Sequence, residues 1–205
     1  MPEKDKKPKP KNNMSNHKYN KEKIEKAVKA KGYKWFEDQV NIVGVRNSAT
    51  GKDVTNAFDD MITICKLENG VWKYNEWPAT TDPGKRAVLE AKNPAGVARL
   101  VPGQYINSHI IRLHKGKYEA LGQNKPVKVF RDANKDLKYD ETKIQEGVFG
   151  INIHKAGVDS TIVENWSEGC QVFKREQEFL AFMAIAKASG QKDFTYTLIE
   201  SKDIA

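Results

Sequence analysis

The sequence predicts a mainly β domain with peripheral helices, in the α+β class. After Phe36, short runs of β-branched and aromatic residues alternate with Gly, Asn and Pro, which is typical of strands separated by turns. The one apolar helical pattern in this part of the chain covers residues 176–189, with a broad apolar face made by Phe179, Leu180, Phe182, Met183 and Ala186. A chain of 205 residues is long enough for one such domain with a hydrophobic core and a short extension.

The extension is residues 1–19, where Lys, Pro, Asn and Ser dominate, a composition that predicts a disordered basic tail. Of the 35 basic and 27 acidic residues, 12 Lys and 4 acidic residues lie in residues 1–34, which leaves 23 of each in the body. Such a tail can contact anionic polymers such as DNA, anionic lipid or teichoic-type polymers. A tail that only keeps the protein in solution would explain the same basic composition equally well. Since the body is formally neutral, no specific nucleic-acid recognition is predicted.

Residues 20–36 predict an N-terminal helix followed by an aromatic anchor. Asn20 is a good N-cap for a helix over residues 21–31, and Gly32 would end it. The three aromatic residues within 33–36 would then hold the helix against the body.

Residues 37–205 are predicted to form the main domain. Asn-Gly between two apolar runs indicates a tight hairpin, because Asn and Gly tolerate positive φ. Strands are predicted at residues 40–45, 61–67, 71–77, 104–112, 127–131, 147–154, 170–173 and 194–200.

Cellular location is predicted from what the sequence lacks. No run approaches the roughly 18 apolar residues of a membrane helix, and the Lys/Pro-rich N-terminus has no apolar core of a signal peptide. We therefore expect cytoplasmic synthesis with release by another process, such as phage lysis, or an exported protein whose signal has been removed. The only cysteines, Cys65 and Cys170, are too few for a disulfide framework, although one bridge stays open.

A nucleophilic cysteine site is predicted around Cys170. One predicted strand alternates so that Asn152 and His154 share a face, and the Ser-Glu-Gly-Cys segment 167–170 follows. Gly169 permits a tight turn that exposes the thiol. A thiol, an imidazole that accepts its proton and a small neighbouring residue are what nucleophilic thiol chemistry requires. Asn152 is a candidate to orient His154.

A buried, inert cysteine is the competing interpretation, since most lone cysteines in soluble domains fill the core. Cys65 fits it, because it ends the apolar run 61–65. Cys170 fits it less well, because Glu168 and Gly169 precede it instead of an apolar run.

His154 followed by the segment 167–170 resembles the His…Ser/Thr-x-Gly-Cys signature of L,D-transpeptidase catalytic (YkuD-type) domains. Residues 78–84 resemble the Thr-Pro-x-Gly turn that lies upstream of the active site in that family. The resemblance extends loosely over residues 41–198. The overall pattern of the chain also resembles that of uncharacterised bacterial and phage proteins of this type.

The resemblance implies an L,D-transpeptidase-like β-sandwich in which Cys170 is acylated by a peptidoglycan stem peptide. It further implies that His154 is the general base, that the amides of Gly169 and Cys170 form the oxyanion hole, and that Ser167 supports the site. No cofactor is required for this catalysis. Residues 37–205 would then be the catalytic domain of a transpeptidase or of a cell-wall hydrolase, and the latter could be phage-encoded.

Two departures from the family pattern keep a second function open. Glu168 stands where the family often has His, and Val172 replaces the Arg commonly found two residues after the Cys. The acyl group could pass to an amine or to water. Alternatively, the chain is a non-catalytic phage virion or cell-wall-binding module that retains the fold.

Substrate binding is predicted for Asn152, His109 and Trp166, and His114 is a further candidate for the same groove. Histidines on half-exposed strands often have no such role. No His-Glu-x-x-His, Gly-x-x-x-x-Gly-Lys-Ser/Thr or Gly-x-Gly-x-x-Gly motif occurs, which argues against catalytic zinc and nucleotide binding.

A structural calcium site is the one metal prediction. Oxygen-bearing side chains occupy positions 1, 3, 5 and 9 of a calcium-type loop, although position 6 is Leu instead of Gly and position 12 is Lys instead of Glu. A polar loop with Asx-turns explains the same residues without an ion. The predicted ligands are Asp132, Asn134, Asp136 and Asp140.

Overall fold

The computed structural model describes residues 18–204, so most of the predicted tail, residues 1–17, lies outside the described residues. The helices are α1 (Lys21–Ala30), α2 (Lys85–Leu89) and α3 (Glu176–Ala188). The strands are β1 (Asn41–Arg46), β2 (Asp60–Glu68), β3 (Val71–Thr80), β4 (Val97–Leu100), β5 (Gly103–His114), β6 (Tyr118–Gln123), β7 (Val127–Asp132), β8 (Ile144–Gly147), β9 (Ile153–Lys155), β10 (Gln171–Phe173) and β11 (Asp193–Glu200). The mainly β prediction with few helices is confirmed.

The main sheet closes into an eight-stranded barrel in the order β1-β11-β5-β6-β9-β10-β3-β2. Its strands pair antiparallel except for β1 with β11 and β9 with β10, which run parallel. The β2–β3 hairpin turns through Asn69 and Gly70, with φ of 51° and 75°, as the Asn-Gly signal predicts.

A second sheet of three strands, β4-β7-β8, packs against the barrel. Leu100 of β4 and Val129 of β7 are fully buried in the same hydrophobic cluster as Ile62, Phe173 and Leu198 of the barrel strands. Burial of these apolar side chains in one cluster joins the two sheets, because the apolar face of each sheet is removed from water only where the other sheet covers it.

Helix α3 covers the part of the barrel that carries the Cys170 segment. The rings of Phe179 and Phe182 lie 5.7 and 5.0 Å from the ring of Phe173 on β10. The helix therefore anchors β10 through aromatic packing. Across residues 18–204, no helix has the length and apolar character needed to cross a bilayer.

Helix α1 packs on the outside of the barrel. The Asn20 side chain accepts a first-turn N–H at 2.9 Å, as its N-cap prediction requires, and Ile24 is fully buried against Ile199 of β11. Of the three aromatic residues expected to anchor the helix, Tyr33 and Trp35 pack on the same cluster, whereas Phe36 is not part of it. The domain boundary at residue 36 stays a prediction.

The predicted strand over residues 147–154 is wrong in its middle. The chain leaves the second sheet after Gly147 and joins the barrel only at Ile153. Gly150 has φ of 78°, which interrupts an extended chain. The N–H groups of residues 149 and 151 donate to the Gln123 side-chain oxygen instead of to a strand.

Candidate active site

A cleft of about 430 Å³ lies where the barrel and the second sheet meet. Both sheets contribute side chains to it, as do the β5–β6 turn and the short 3-10 helix at Glu164–Trp166. Residues with side chains suited to chemistry or to binding are concentrated in its lining. Those of the lining that matter below are His114, Lys115, Arg131, Asn152, His154, Trp166 and Cys170.

The parallel pairing of β9 with β10 brings His154 and Cys170 into the same cleft. Val172 is the register partner of His154, and Cys170 lies two residues before Val172. Paired residues of neighbouring strands, and residues two apart on one strand, present their side chains on one face. The imidazole and the thiol are therefore diagonal neighbours, although Cys170 lies sixteen positions after His154 in the sequence.

The buried Ser167 side chain fixes the Cys170 segment by hydrogen bonds to its backbone. The Ser167 side chain is fully buried, and its Oγ donates to the Cys170 carbonyl at 2.8 Å and accepts the Gly169 N–H at 3.1 Å. The Ser167 carbonyl accepts the N–H of Gly84 at 2.9 Å, which ties this segment to the turn before α2. This geometry agrees with a supporting role for Ser167.

Gly169 is required by a close approach to β4. Its φ is 133°, and a Cβ atom at this position would lie 1.9 Å from the Ala98 carbonyl oxygen. The Ala98 N–H in turn donates to the Glu168 carbonyl at 3.1 Å. Of the two amides that the family resemblance implies for an oxyanion hole, those of Gly169 and Cys170, the Gly169 N–H is donated to Ser167 Oγ in this structure.

His154 is held in the tautomer of a general base. Its Nδ1 lies 2.8 Å from the Lys155 carbonyl oxygen, which can only accept, so Nδ1 carries the proton and Nε2 is left with its lone pair. Burial lowers the pKa of His154 to about 4, so the ring is neutral at pH 7. A neutral imidazole with Nε2 available can accept a proton from a thiol.

Asn152 does not orient His154, contrary to the expectation from its position. Its Oδ1 accepts the Gln123 N–H at 2.9 Å, and its Nδ2 lies 3.4 Å from Nδ1 of His114. The His114 ring stacks on that of His154, with centroids 4.3 Å apart and planes inclined by 23°. The Asn152 side chain therefore contacts Gln123 and His114 instead of His154, and it lines the cleft.

The Cys170 thiol is neutral at rest. Its Sγ donates to the Gly150 carbonyl at 3.2 Å. Burial raises the pKa of Cys170 to about 11, against the opposing effects of the Asn152 N–H and the Lys115 ammonium. The site is thus a neutral thiol beside a neutral imidazole, not a preformed ion pair.

The two other predicted substrate-binding residues have opposite outcomes. Trp166 lines the cleft and is 45% exposed, so its indole is available to a ligand. His109 is fully buried, with Nδ1 hydrogen-bonded to Ser108 Oγ and Nε2 to the Ile151 carbonyl, both at 2.8 Å. The prediction for His109 is wrong, because β5 directs its ring into the barrel, where it packs on Tyr196.

Two basic residues of the cleft were missed by the sequence analysis. Lys115 lies in the β5–β6 turn, and Arg131 lies on β7 with its guanidinium 4.8 Å from the centroid of the Phe149 ring. The Arg131 Nη1 also donates to the Gly96 carbonyl at 3.1 Å. Neither position carries a local signal, because the cleft forms only when the second sheet docks on the barrel.

Neither a disulfide nor a ready-made metal cluster is seen. Cys65 and Cys170 are both free thiols, so the bridge that the sequence left open does not form. Within residues 18–204, no group of three or more His, Cys, Asp or Glu side chains is arranged to hold a metal ion. The calcium prediction is taken up below on other observations.

Comparisons of the chain with protein-family models, with curated proteins and with solved structures gave no match.

Proposed function

We propose that the protein is a cysteine-dependent acyl-transfer enzyme that acts on peptidoglycan stem peptides, as an L,D-transpeptidase or as an L,D-peptidase. The observation that carries the proposal is the shared cleft of Cys170 and His154, in which the Lys155 carbonyl fixes the base tautomer. The peptidoglycan substrate rests on the resemblance of these residues to the YkuD-type signature. The enzyme would act at the cell wall, released by a phage or exported.

The proposal includes an L,D-transpeptidase-like β-sandwich as the fold. It is supported by two sheets that share one hydrophobic cluster, with the reactive groups at the edge where the sheets meet. The closure of the larger sheet into a barrel would then be a feature of this chain within that architecture.

The first half of the proposed reaction forms a thioester. Cys170 Sγ attacks the carbonyl carbon of the scissile peptide bond while His154 Nε2 takes the thiol proton. The tetrahedral intermediate then expels the amine, which leaves with the proton from Nε2. Because the pKa of Cys170 is about 11 and that of His154 about 4, the proton moves during the attack and not before it.

The second half regenerates the thiol. Water or an acceptor amine attacks the thioester carbonyl, His154 Nε2 removes its proton, and the proton returns to the departing Cys170 thiolate. Trp166 provides an exposed aromatic surface for the peptide at the cleft, and Lys115 and Arg131 provide positive charge for its carboxylates. Which acceptor is used would decide between transferase and hydrolase.

A non-catalytic cell-wall-binding or virion module is the second candidate. Three observations favour it: the raised pKa of Cys170, the thiol directed at the Gly150 carbonyl and the Gly169 N–H engaged by Ser167. Such a module would use the same cleft to bind stem peptides without forming a thioester.

The test is incubation of the purified protein with muropeptides, with products and intact protein measured by mass spectrometry. We expect cleaved or cross-linked products and a mass increase on Cys170. Cys170→Ala should lower turnover by at least about 10³-fold, whereas the matched Cys65→Ala variant should keep it. An added amine acceptor distinguishes transfer from hydrolysis.

Two results would count against the proposal. Retention on peptidoglycan with no product and no adduct would favour the binding module. Turnover that survives Cys170→Ala would refute the thioester mechanism even if the substrate class is right.

A further inference from the structure

The loop after β7 contains a buried carboxylate with an unsatisfied oxygen. Asp132 is 1% exposed, and its Oδ1 accepts the Lys135 N–H at 2.7 Å. Its Oδ2 is buried and has no hydrogen-bond partner within the described part of the chain. Burying a carboxylate oxygen without a hydrogen-bond donor costs desolvation free energy, and a bound cation or a further donor would offset this cost.

A second unsatisfied carboxylate oxygen ends the same loop. Glu141 Oε1 is buried and lacks a hydrogen-bond partner among residues 18–204.

Two further oxygen-bearing side chains lie between these carboxylates. Asn134 Nδ2 donates to Asp136 Oδ2 at 2.8 Å, and Asp136 Oδ1 accepts the Lys138 N–H at 3.0 Å. The Asn134 and Asp136 side chains are exposed, so both can rotate toward a ligand. The loop thus offers an amide oxygen and a carboxylate at the spacing expected of calcium ligands.

The Lys138 carbonyl points to the side of the loop on which the Asp136 side chain lies. Lys138 forms an antiparallel bridge with Asp53, and its neighbours make the flanking hydrogen bonds, Val54 N–H to the carbonyl of Leu137 and Tyr139 N–H to that of residue 52. In extended chain the N–H and C=O of one residue point to one side. Because the Lys138 N–H reaches Asp136, its carbonyl is offered on that side too.

Leu137 adopts the positive φ that the glycine of a calcium-binding loop usually has at this position. The calcium loop has Gly at its sixth position for a sharp turn, and Leu137 stands there with φ of 63°. The substitution seen in the sequence therefore does not prevent the turn.

We propose that residues 132–141 bind one calcium ion. Calcium fits better than magnesium, because Ca²⁺ accepts six to eight oxygen ligands in flexible geometry, whereas Mg²⁺ demands a near-ideal octahedron. Within residues 18–204 these carboxylates do not form a cluster suited to a metal ion, so a divalent cation would draw them together by offsetting the repulsion between their charges. The ligands are the side chains of Asp132, Asn134, Asp136, Asp140 and Glu141 and the carbonyl of Lys138.

The site would brace one wall of the cleft. Asp132 directly follows Arg131, which lines the cleft and bonds the Gly96 carbonyl. At the other end of the loop, the Tyr139 hydroxyl donates to the Pro83 carbonyl at 2.7 Å. A cation here would stabilise the fold whether or not the cleft is catalytic, so this proposal does not depend on the proposed function.

The test is isothermal titration of the EDTA-dialysed full chain with CaCl₂ and, separately, with MgCl₂. We expect one Ca²⁺ per chain and at least about tenfold weaker Mg²⁺ binding. Calcium at one hundred times its Kd should raise the Tm by about 5–10 °C.

Single-charge variants locate the site. Asp136→Asn and Glu141→Gln should each weaken calcium binding at least about tenfold and shrink the Tm increase. Asp159→Asn removes an exposed carboxylate that pairs with Arg175 outside the loop, and this control should bind calcium like the parent chain. The proposal is overturned if calcium gives no heat and no Tm change, if magnesium binds equally well, or if Asp159→Asn weakens binding as much as Asp136→Asn.

Discussion

The barrel interior and the cleft each contain one buried histidine, and the two differ in the bonding of the second ring nitrogen and in access to the cleft. Burial lowers the pKa of both His109 and His154 to about 4, and one ring nitrogen of each is bonded to a backbone carbonyl. His109 also uses its second nitrogen, on Ser108 Oγ, whereas His154 lines the cleft with Nε2 left over. A perturbed pKa therefore does not identify a catalytic histidine; an available nitrogen in an accessible cleft does.

The thiols of Cys65 and Cys170 likewise have similar pKa values but differ in their access to the cleft. Burial raises the pKa of Cys65 to about 12 and that of Cys170 to about 11, so their acidities differ little. Cys65 is 1% exposed, while Cys170 is partly exposed and lines the cleft beside an imidazole. Reactivity is expected to follow access and the neighbouring base, not the resting pKa alone.

The largest expected effect comes from replacing each histidine by Gln. His154→Gln should lower kcat on muropeptides by about 10²–10⁴-fold, because general base catalysis is lost. His109→Gln should stay within a few fold of the parent, since the amide can still donate to the Ile151 carbonyl. Steady-state kinetics on both variants tests this, and equal losses would remove the distinction between the two regions.

A smaller effect, shared by both histidines, is expected in stability against pH. The pKa of each lies near 6.5 in the unfolded chain and near 4 in the folded one, so the neutral ring favours folding above pH 6.5. That contribution is lost as pH falls from 6.5 to 4. The stability advantage of the parent over His109→Gln should therefore shrink by about 3 kcal/mol between pH 7 and pH 4.

Urea unfolding at several pH values measures this change, and the difference from the variant cancels the titration of every other group. His154→Gln is the matched case and should show a similar decrease. A pH-independent difference for His109→Gln would mean that its ring is not buried in the neutral form.

The smallest expected effect concerns the ring that stacks on His154. His114→Ala removes a stacked contact worth about 1 kcal/mol, so kcat should fall about fivefold through looser positioning of His154. Leu113→Ala, an exposed neighbour on β5, is the control and should leave kcat unchanged. If His114→Ala also shifts the acid limb of the pH–rate profile, His114 acts on the His154 pKa as well as on its position.

Local patterns account for much of the fold. The Asn20 cap and the Asn69-Gly70 turn each depend on contacts within a few residues, and each is found where the sequence predicts it. The apolar face of α3 is buried as predicted except at Leu180, which is 57% exposed. Strands β4, β6 and β8 were not predicted, because they are short and gain stability only from partners that are distant in sequence.

The sequence by itself determined the mainly β class, the capped helix and the candidate pair of Cys170 and His154, because residue type and short spacing carry that information. Only the tertiary structure decided that the main sheet closes into a barrel, that His109 belongs to its interior and that Lys115 and Arg131 reach the cleft. It also decided which amides and ring nitrogens are already bonded. These outcomes depend on which strands pair and which surfaces become buried, and both are set by contacts between residues far apart in the chain.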